Sequence, residues 1–496
     1  MSADPHELPQ PRPGEGGERI VLAIVLAGAA VRLVLGALVP ITVDEAYYVD
    51  WARHLQPGYL DHPPLVAWLL APSLALLGSS TLAVRLPAVL LQAGTTLLAA
   101  SLARARGGRA GAVTLALLLQ AVPIFSLGAT LMTPDAPLAF AWAGALFALE
   151  RAFRRDPRWF VAAGAFLGLA ALSKLHGGLL AFAFLAALLA SSRGRSALAS
   201  PWPWAGVVAA ALVASPMLFW NAANGWPSIL FQASHGARGR ALSLGRLAGS
   251  LGGQAGYVSP VVLVLAAAAA WRALRRLEDP VTAALALSAL PVVAFFTALA
   301  ALTPGALPHW AAPGWLSACV LLAVAGSSPD LHRPAERGWG GGTRHLRSAL
   351  GVGFGLSGLL LVLIGVVFLV ELPISPNPID ELRGWSEGAR AARAVAGDAR
   401  LAADHWIVLG QVGFADGRSP AYVGERRSGP TFYDPAPLAS GAPHLLVTVE
   451  GLDPPRAELE VRLGPLSPAG GFDAKDGARV IRRYRFWWLA APPRRG

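Results

Sequence analysis

Long apolar runs, separated by short polar segments, make up most of the chain as far as residue 370. An apolar helix of about 20 residues spans the roughly 30 Å hydrocarbon core of a lipid bilayer. The pattern therefore predicts an all-α polytopic membrane protein with about eleven membrane-spanning helices. They are expected at residues 20–39, 84–103, 110–127, 135–153, 159–173, 177–190, 204–219, 257–271, 281–302, 310–325 and 349–370.

The segments outside these runs have other patterns. Residues 1–19 are acidic and rich in Pro and Gly, which predicts a disordered N-terminus that lacks the features of a signal peptide. Residues 64–78 are apolar but short, which favours a re-entrant or interfacial helix. Residues 372–496 contain short β-like runs such as His444–Val449, which predicts a small mixed α/β domain. We expect three parts: 1–19, a membrane domain at 20–371 with a large first external loop at 40–83, and 372–496.

Arginine residues are concentrated in alternate loops. One set of loops carries Arg104, Arg106, Arg109, Arg151, Arg154, Arg155, Arg158, Arg193, Arg195, Arg272, Arg275, Arg276, Arg333, Arg337, Arg344 and Arg347. The loops between them carry few cations: Arg53, Lys174, Arg238, Arg240 and Arg246. An excess of Lys and Arg marks cytoplasmic loops. We therefore expect a cytoplasmic N-terminus and, with an odd number of spans, an extracytoplasmic C-terminal domain.

Composition agrees with this assignment. The chain of 496 residues is 54% hydrophobic and only 14% charged, whereas soluble domains have about 25% charged residues. The net charge of +11 would suggest nucleic-acid binding in a soluble protein. Here the arginines lie in short loops between apolar runs, so we expect no nucleic-acid partner. The single cysteine, Cys319, excludes a disulfide framework or a cysteine-based zinc site.

Polar residues of types suited to catalysis or ligand binding cluster on the predicted external side. Ionisable groups at membrane depth are costly and tend to mark function, so the clustering predicts one external active site. The residues are Asp44, Glu45, Tyr59, Asp61 and His62 in the first loop, followed by Asp135, Lys174, His176, Asn221, His235 and His309.

Each of these residues has a structural alternative. Asp44 or Glu45 could cap a helix that begins after Thr42, but capping accounts for only one of two adjacent carboxylates. Asp135 could likewise be a helix cap, and Lys174 could extend its amine to lipid headgroups. Each histidine taken singly fits an interfacial anchor.

Several short motifs resemble those of the GT-C membrane glycosyltransferases. The likeness is greatest to the glycosyltransferase family 39 branch, which holds protein O-mannosyltransferases and the aminoarabinose transferases that modify lipid A. It covers residues 20–325. The motifs are Asp44-Glu45, Asp61-His62-Pro63-Pro64-Leu65, Val84-Arg85-Leu86-Pro87, Thr133-Pro134-Asp135, Leu172-Ser173-Lys174, Trp220-Asn221 and Pro308-His309-Trp310.

The resemblance implies a GT-C fold in a bacterial inner membrane and a polyprenyl-phosphate-linked sugar donor. It implies transfer at the external face to a hydroxyl on a lipid, glycan or protein, with membrane lipid as the surrounding partner. Asp44 would be the general base, Glu45 its catalytic neighbour, and Asp135 would orient a substrate or share the base role. Lys174 would neutralise the leaving phosphate. Residues expected to bind substrate are Lys174, His62, Asp61, Tyr59, Asn221 and His309.

One motif departs from the family pattern. Aminoarabinose transferases favour lysine where this chain has His62, and a histidine pairs with phosphate only when it is protonated. His62 could instead donate a hydrogen bond or, with Asp61 and another histidine, bind a divalent metal ion. A divalent metal is the one cofactor that the sequence leaves open.

The chemistry agrees with these roles, because glycosyl transfer needs a base for the acceptor hydroxyl and positive charge for the departing phosphate. Inverting displacement needs no covalent nucleophile. The chief alternative is a secondary transporter, which would place ionisable residues near the bilayer midplane and often shows an internal repeat. Here most spans are free of charge at mid-depth and no repeat is evident.

Overall fold

The computed structural model describes residues 15–237, 241–327, 342–369, 377, 379–424 and 443–489. Within them, a helical membrane region precedes a small α/β domain. The helices of the membrane region are α1 (Glu15–Leu38), α2 (Val43–Arg53), α3 (Leu65–Leu77), α4 (Thr81–Ala121), α5 (Pro123–Ser126), α6 (Asp135–Arg154), α7 (Trp159–Ser173), α8 (Gly178–Ala190), α9 (Ser192–Leu198), α10 (Pro201–Ala223), α11 (Pro227–Ala237), α12 (Leu244–Val258), α13 (Pro260–Leu274), α14 (Pro280–Leu287), α15 (Leu290–Leu302), α16 (Ala312–Ala325) and α17 (Gly342–Leu369).

The apolar runs predicted to span the membrane all form helices, which confirms the polytopic helical fold. In the described ranges, six helices are long and apolar enough to cross a bilayer, and two bent pairs raise that number to eight. The predicted eleven also counts α4 as two spans and includes α6 and the 15-residue α7. At 1.5 Å per residue, α7 is about 22 Å long, so the number of spans stays a prediction.

Two of the apolar runs differ in geometry from a single straight span. Helix α4 covers two predicted spans and breaks at Gly108, whose φ of 64° is a left-handed conformation that glycine adopts readily. The predicted interfacial run forms α3, which has 13 residues and is about 20 Å long. Leu76 near its end is exposed, as expected for contact with lipid.

The helix ends at the predicted cytoplasmic side are joined by ion pairs. Arg106 Nη1 donates to Glu150 Oε2 over 2.8 Å, and Nη2 pairs with Asp279. Glu150 is 2% exposed. These contacts link α4, α6 and the N-terminus of α14. They gather three loops that the arginine pattern assigned to the same side.

The predicted N-terminal disorder needs correction at its boundary. Residues 1–14 lie outside the described residues, whereas α1 begins at Glu15. Acidic side chains are stabilising in the first turns of a helix, where the backbone dipole is positive. Glu18 also pairs with Arg104, so residues 15–19 extend the first span.

The C-terminal domain is a five-stranded mixed sheet with three helices in its described part, which confirms the predicted α/β fold. The strand order is β2-β1-β3-β5-β4, with β1 parallel to β2 and β3 and the other pairs antiparallel. Its elements are α18 (Trp385–Ala396), β1 (Arg400–Ala403), α19 (Trp406–Asp416), β2 (Ala421–Tyr422), β3 (His444–Val449), α20 (Arg456–Leu463), β4 (Ser467–Asp476) and β5 (Arg479–Trp488).

Candidate active site

A cavity of about 400 Å³ lies between the first external loop and the ends of α6 and α16. Its wall includes the side chains of Asp44, His62, Asp135, Lys174 and His309. These residues come from four separate segments, with Asp44 and His62 both in the first loop, and all four are assigned to the external side by the loop arginines. The structure therefore brings together five of the nine residues expected to act in catalysis or substrate binding.

Asp44 lies in the first turn of α2, whose N-terminus is fixed by a capping box. Thr42 Oγ1 accepts a hydrogen bond from the Glu45 backbone N–H over 3.2 Å, and Glu45 Oε2 accepts one from the Thr42 N–H over 3.0 Å. Thr42 and Glu45 thus satisfy the helix end reciprocally. Asp44 is not needed as the cap, and its side chain lines the cavity.

Glu45 lies behind the cavity wall, fully buried against Arg85. Arg85 donates to both Glu45 oxygens, with Nε–Oε1 at 2.9 Å and Nη2–Oε2 at 2.7 Å. The backbone N–H of Met132 donates to the same carboxylate over 3.1 Å. These contacts give Glu45 a structural role in the first turn of α2, and its catalytic role stays a prediction. Its negative charge is compensated by Arg85 and does not act on Asp44 as an unpaired neighbour.

Asp135 and Lys174 form the ion pair of the cavity. Lys174 Nζ donates to Asp135 Oδ1 and Oδ2 over 2.9 and 3.0 Å. The lysine side chain is 6% exposed and the aspartate side chain 30%. Pro134 occupies the cap position of α6, with no side-chain cap bond, so capping does not explain Asp135. Burial of Lys174 likewise excludes the headgroup anchor considered for it.

The histidines of the external side have different surroundings. His309, in the 3₁₀ turn Pro308–Ala311, lies edge-on to Tyr257 with ring centroids 6.5 Å apart. The ring of His62 lies 6.3 Å from that of Tyr48. His176 packs against Phe296 behind the wall, with ring centroids 4.6 Å apart. The side chain of His235 lies outside the described residues.

Three other predicted substrate ligands, Tyr59, Asp61 and Asn221, lie outside the cavity wall. Tyr59 stacks on Trp51 with ring centroids 4.1 Å apart. Asn221 Oδ1 accepts from the Ser228 N–H over 3.2 Å, which fixes the turn between α10 and α11.

Asp61 is buried and is hydrogen-bonded to a neighbouring tyrosine. Its Oδ2 accepts a hydrogen bond from the Tyr47 hydroxyl over 2.8 Å. Contact of Tyr59, Asp61 and Asn221 with substrate stays a prediction, since these residues lie outside the wall of this cavity.

Part of the cavity wall is held by a cation inside the first span. Arg32 is 4% exposed; its Nε donates to the Ser126 carbonyl over 2.9 Å and its Nη2 to the Phe125 carbonyl over 2.8 Å. Gln92 Nε2 also donates to the Phe125 carbonyl over 2.8 Å. Phe125 lines the cavity. Arg32 and Gln92 therefore satisfy backbone groups that would be costly at membrane depth.

The cavity contains residues that the sequence did not single out, among them Tyr48, Gln92 and Tyr257. Tyr48 follows Asp44 by one helical turn and so shares its face of α2. That periodicity was the available signal for Tyr48. Gln92 and Tyr257 are single polar groups in apolar segments, and nothing in their local sequence distinguishes them.

The predicted metal ligands, Asp61 and His62, are not part of a larger cluster of ligating side chains in the described residues. In the described part of the chain, no three His, Cys, Asp or Glu side chains are arranged to hold an ion. Asp61 Oδ2 is bonded to Tyr47, while His62 faces the cavity. A divalent ion at Asp61 and His62 stays a prediction, and no step below depends on it.

Comparison with known proteins identifies the fold. Residues 61–220 match the family described as dolichyl-phosphate-mannose-protein mannosyltransferase. The crystal structure of ArnT from Cupriavidus metallidurans bound to undecaprenyl phosphate superposes with a TM-score of 0.66 at 18% identity. That match covers 96% of this chain and 98% of ArnT. The Archaeoglobus fulgidus oligosaccharyltransferase gives 0.51 at 15% identity, covering 82% of this chain and 63% of that one.

A curated relative adds a sequence match. The lipid A galacturonosyltransferase RgtD of Rhizobium johnstonii is 26% identical over 294 residues, which are 56% of this chain and 59% of RgtD. The match thus spans less than two thirds of that relative. Fold and matched domain agree with the motifs read from the sequence. Residues 61–220 thus match a domain of membrane glycosyltransferases, and the chain as a whole shares the fold of ArnT.

Proposed function

We propose that the protein transfers a sugar from a polyprenyl-phosphate-linked donor to an acceptor hydroxyl by inverting displacement. The observation that carries the proposal is the cavity in which a carboxylate at a helix N-terminus, Asp44, shares one wall with the Asp135–Lys174 pair. Such a site offers a base for the incoming hydroxyl and a cation for the departing phosphate.

Asp44 is the proposed general base. The acceptor oxygen attacks the anomeric carbon as Asp44 takes the hydroxyl proton, and the bond between that carbon and the phosphate oxygen breaks. The electron pair leaves with the polyprenyl phosphate. The capping box of Thr42 and Glu45 orients the first turn of α2, so Asp44 is held in place before substrate arrives.

Lys174 is the proposed cation for the leaving phosphate. Its two hydrogen bonds to Asp135 fix the amine at the cavity wall, and the partial exposure of Asp135 leaves the pair accessible from the cavity. Asp135 then has a double role, because it positions Lys174 and presents a carboxylate to the sugar. His62 and His309 supply further hydrogen-bond donors on the same wall.

The relatives support the substrate classes. ArnT is described as bound to undecaprenyl phosphate, which supports a polyprenyl-phosphate donor for this chain. RgtD is named for lipid A, which favours a lipid acceptor over a glycan or a protein. The alternating arginines support a bacterial inner-membrane location with a cytoplasmic N-terminus and the cavity and C-terminal domain outside.

The direct test is turnover by the purified protein in lipid nanodiscs with a radiolabelled polyprenyl-phosphate sugar. We expect transfer to a lipid fraction, or slow release of the sugar to water, that the Asp44→Asn variant lacks. The Asp156→Asn variant, changed in the short turn before α7 on the predicted cytoplasmic side and outside the cavity wall, is the matched control. Equal label release by wild type and Asp44→Asn would contradict the proposal.

A further inference from the structure

Helix α19 of the C-terminal domain packs directly on α2, the helix that carries Asp44. Gly410 makes the closest approach: a Cβ built on it would lie 2.8 Å from the Tyr47 backbone nitrogen and 2.9 Å from the Ala46 carbonyl carbon. Carbon atoms do not approach backbone that closely. Only glycine at position 410 allows the two helices to touch.

Side chains on both helices extend this contact. Arg53 Nη1 donates to the Gly413 carbonyl over 2.9 Å, at the C-terminal end of α2. Trp406 packs against Tyr47 with ring centroids 5.1 Å apart. Contacts therefore run along α2 from its middle to its last turn.

The contact continues from Tyr47 to the neighbouring loop. The Tyr47 hydroxyl donates to Asp61 Oδ2 over 2.8 Å, and the next residue, His62, lines the cavity. Trp406 thus supports, through one tyrosine, both α2 and the Asp61-His62 segment. A displacement of α19 would reach two parts of the cavity wall.

Helix α19 is itself fixed inside the C-terminal domain. Arg393 of α18 donates to Asp416 at the end of α19 through Nε at 2.9 Å and Nη2 at 2.7 Å. At the other end, Asp404 of the preceding turn pairs with Arg462 over 2.5 Å. Val408, Leu409 and Val412 are fully buried in the core of the domain. The helix is therefore a rigid support.

We propose that α19 positions the catalytic helix, with Gly410 as a positioning residue of the transfer reaction. The inference rests on the proposed function of Asp44. Helix α2 is held on one side by the Glu45–Arg85 pair and on the other by α19. Both supports are required to keep Asp44 at the acceptor hydroxyl, and misplacement by about 1 Å can cost roughly 100-fold in rate.

The test compares Gly410→Leu and Gly410→Ala with wild type in nanodiscs. Hydrogen exchange of the peptide containing Val43–Arg53 should rise in both variants and more in Gly410→Leu. The kcat should fall by about 10- to 100-fold, whereas KM for the donor should change less than threefold. The Gly355→Leu variant is the matched control, because its Cβ meets open space in α17; it should match wild type.

The outcomes separate this inference from the proposed function. Unchanged exchange in α2, or full turnover by Gly410→Leu, overturns the positioning role. If Gly410→Leu also loosens the β-sheet peptides, the single added methyl of Gly410→Ala decides, with the same two readouts. If wild type transfers no sugar, the proposed function fails, while the exchange of α2 still reports whether α19 supports it.

Discussion

Two carboxylate–cation pairs lie near the predicted external side, and they differ in exposure: one joins Glu45 of α2 to Arg85 of α4, and the other borders the cavity. The Glu45–Arg85 pair is enclosed, with side chains 0% and 1% exposed, and Thr42 and Met132 add hydrogen bonds to the carboxylate. The Asp135–Lys174 pair borders the cavity, with the aspartate 30% exposed. The comparison predicts that the same two charges support structure where every partner is protein, and take part in the proposed transfer where one side is open to a ligand.

The adjacent residues Asp44 and Glu45 give the largest expected contrast. Asp44→Asn keeps size but removes basicity, so turnover should fall by about 10² to 10⁴-fold while the melting temperature stays near that of wild type. Glu45→Gln should lower the melting temperature and reduce turnover per folded molecule less than Asp44→Asn does, because it weakens one support of α2 but leaves the base in place. Both are measured on nanodisc protein by labelled-sugar transfer and thermal unfolding. Near-normal turnover by Asp44→Asn would move the base to Asp135.

Breaking the enclosed Glu45–Arg85 pair should lower the stability of the protein. Arg85→Met removes the cation and leaves the Glu45 carboxylate buried without it, which typically costs about 3–5 kcal/mol. We expect reduced yield of folded protein and a lowered melting temperature. The double variant Glu45→Gln/Arg85→Met should recover part of the loss, because no uncompensated charge remains. Equal stability of the single variant and wild type would show that the pair is not structural.

Breaking the Asp135–Lys174 pair at the cavity should lower activity instead. Lys174→Gln removes the charge proposed to face the leaving phosphate, and we expect turnover to fall by about 100-fold, the scale for loss of one transition-state donor. Stability should change little, because the Asp135 carboxylate is accessible from the cavity. Thermal unfolding provides the control. A large loss of stability with normal turnover of the folded fraction would make this pair structural as well.

A third carboxyl, Asp453 in the C-terminal domain, is buried and has no ion pair with any described residue. Burial raises the pKa of Asp453 to about 7, although the Val449 N–H donates to its Oδ2 over 2.6 Å. Because the folded state binds this proton more tightly than the unfolded state, the stabilisation is present at low pH and is lost as pH rises through 7.

The Asp453→Asn variant should lack this pH dependence. We expect its melting temperature to exceed that of wild type at pH 8 and to approach it at pH 5. The difference in unfolding free energy between variant and wild type should grow by up to about 1.4 kcal/mol per pH unit, between the pKa of the unfolded carboxyl and that of folded Asp453. Melting curves of the protein at both pH values provide the measurement, and identical shifts with pH in variant and wild type would contradict the assignment.

Much of the membrane region and of the site was accessible from the sequence. The apolar runs predicted the helices. The arginines in alternate loops assigned five cavity residues to one side of the membrane: Asp44, His62, Asp135, Lys174 and His309. The domain at the C-terminus was recognised because a strand such as His444–Val449 has an apolar pattern too short for a span.

Long-range pairing was not accessible. Nothing local in the sequence shows that Glu45 faces Arg85, 40 residues later, so adjacent carboxylates looked alike although one is enclosed. The same holds for Gly410, whose role depends on backbone of α2. The number of spans stays a prediction, because short apolar helices such as α7 do not reach the length of a full span by themselves.

The position of α19 along the chain also sets the order in which the enzyme becomes competent during its synthesis. Arg53 and its partner Gly413 are separated by 360 residues, which a ribosome adds in roughly 20 to 70 s at 5–20 residues per second. Arg85, by contrast, emerges soon after Glu45. A nascent chain therefore acquires the first support of α2 early and the second only after the final domain has been synthesised and folded. If α19 positions Asp44 as proposed, a truncated chain inserted in the membrane would transfer sugar more slowly than the completed molecule.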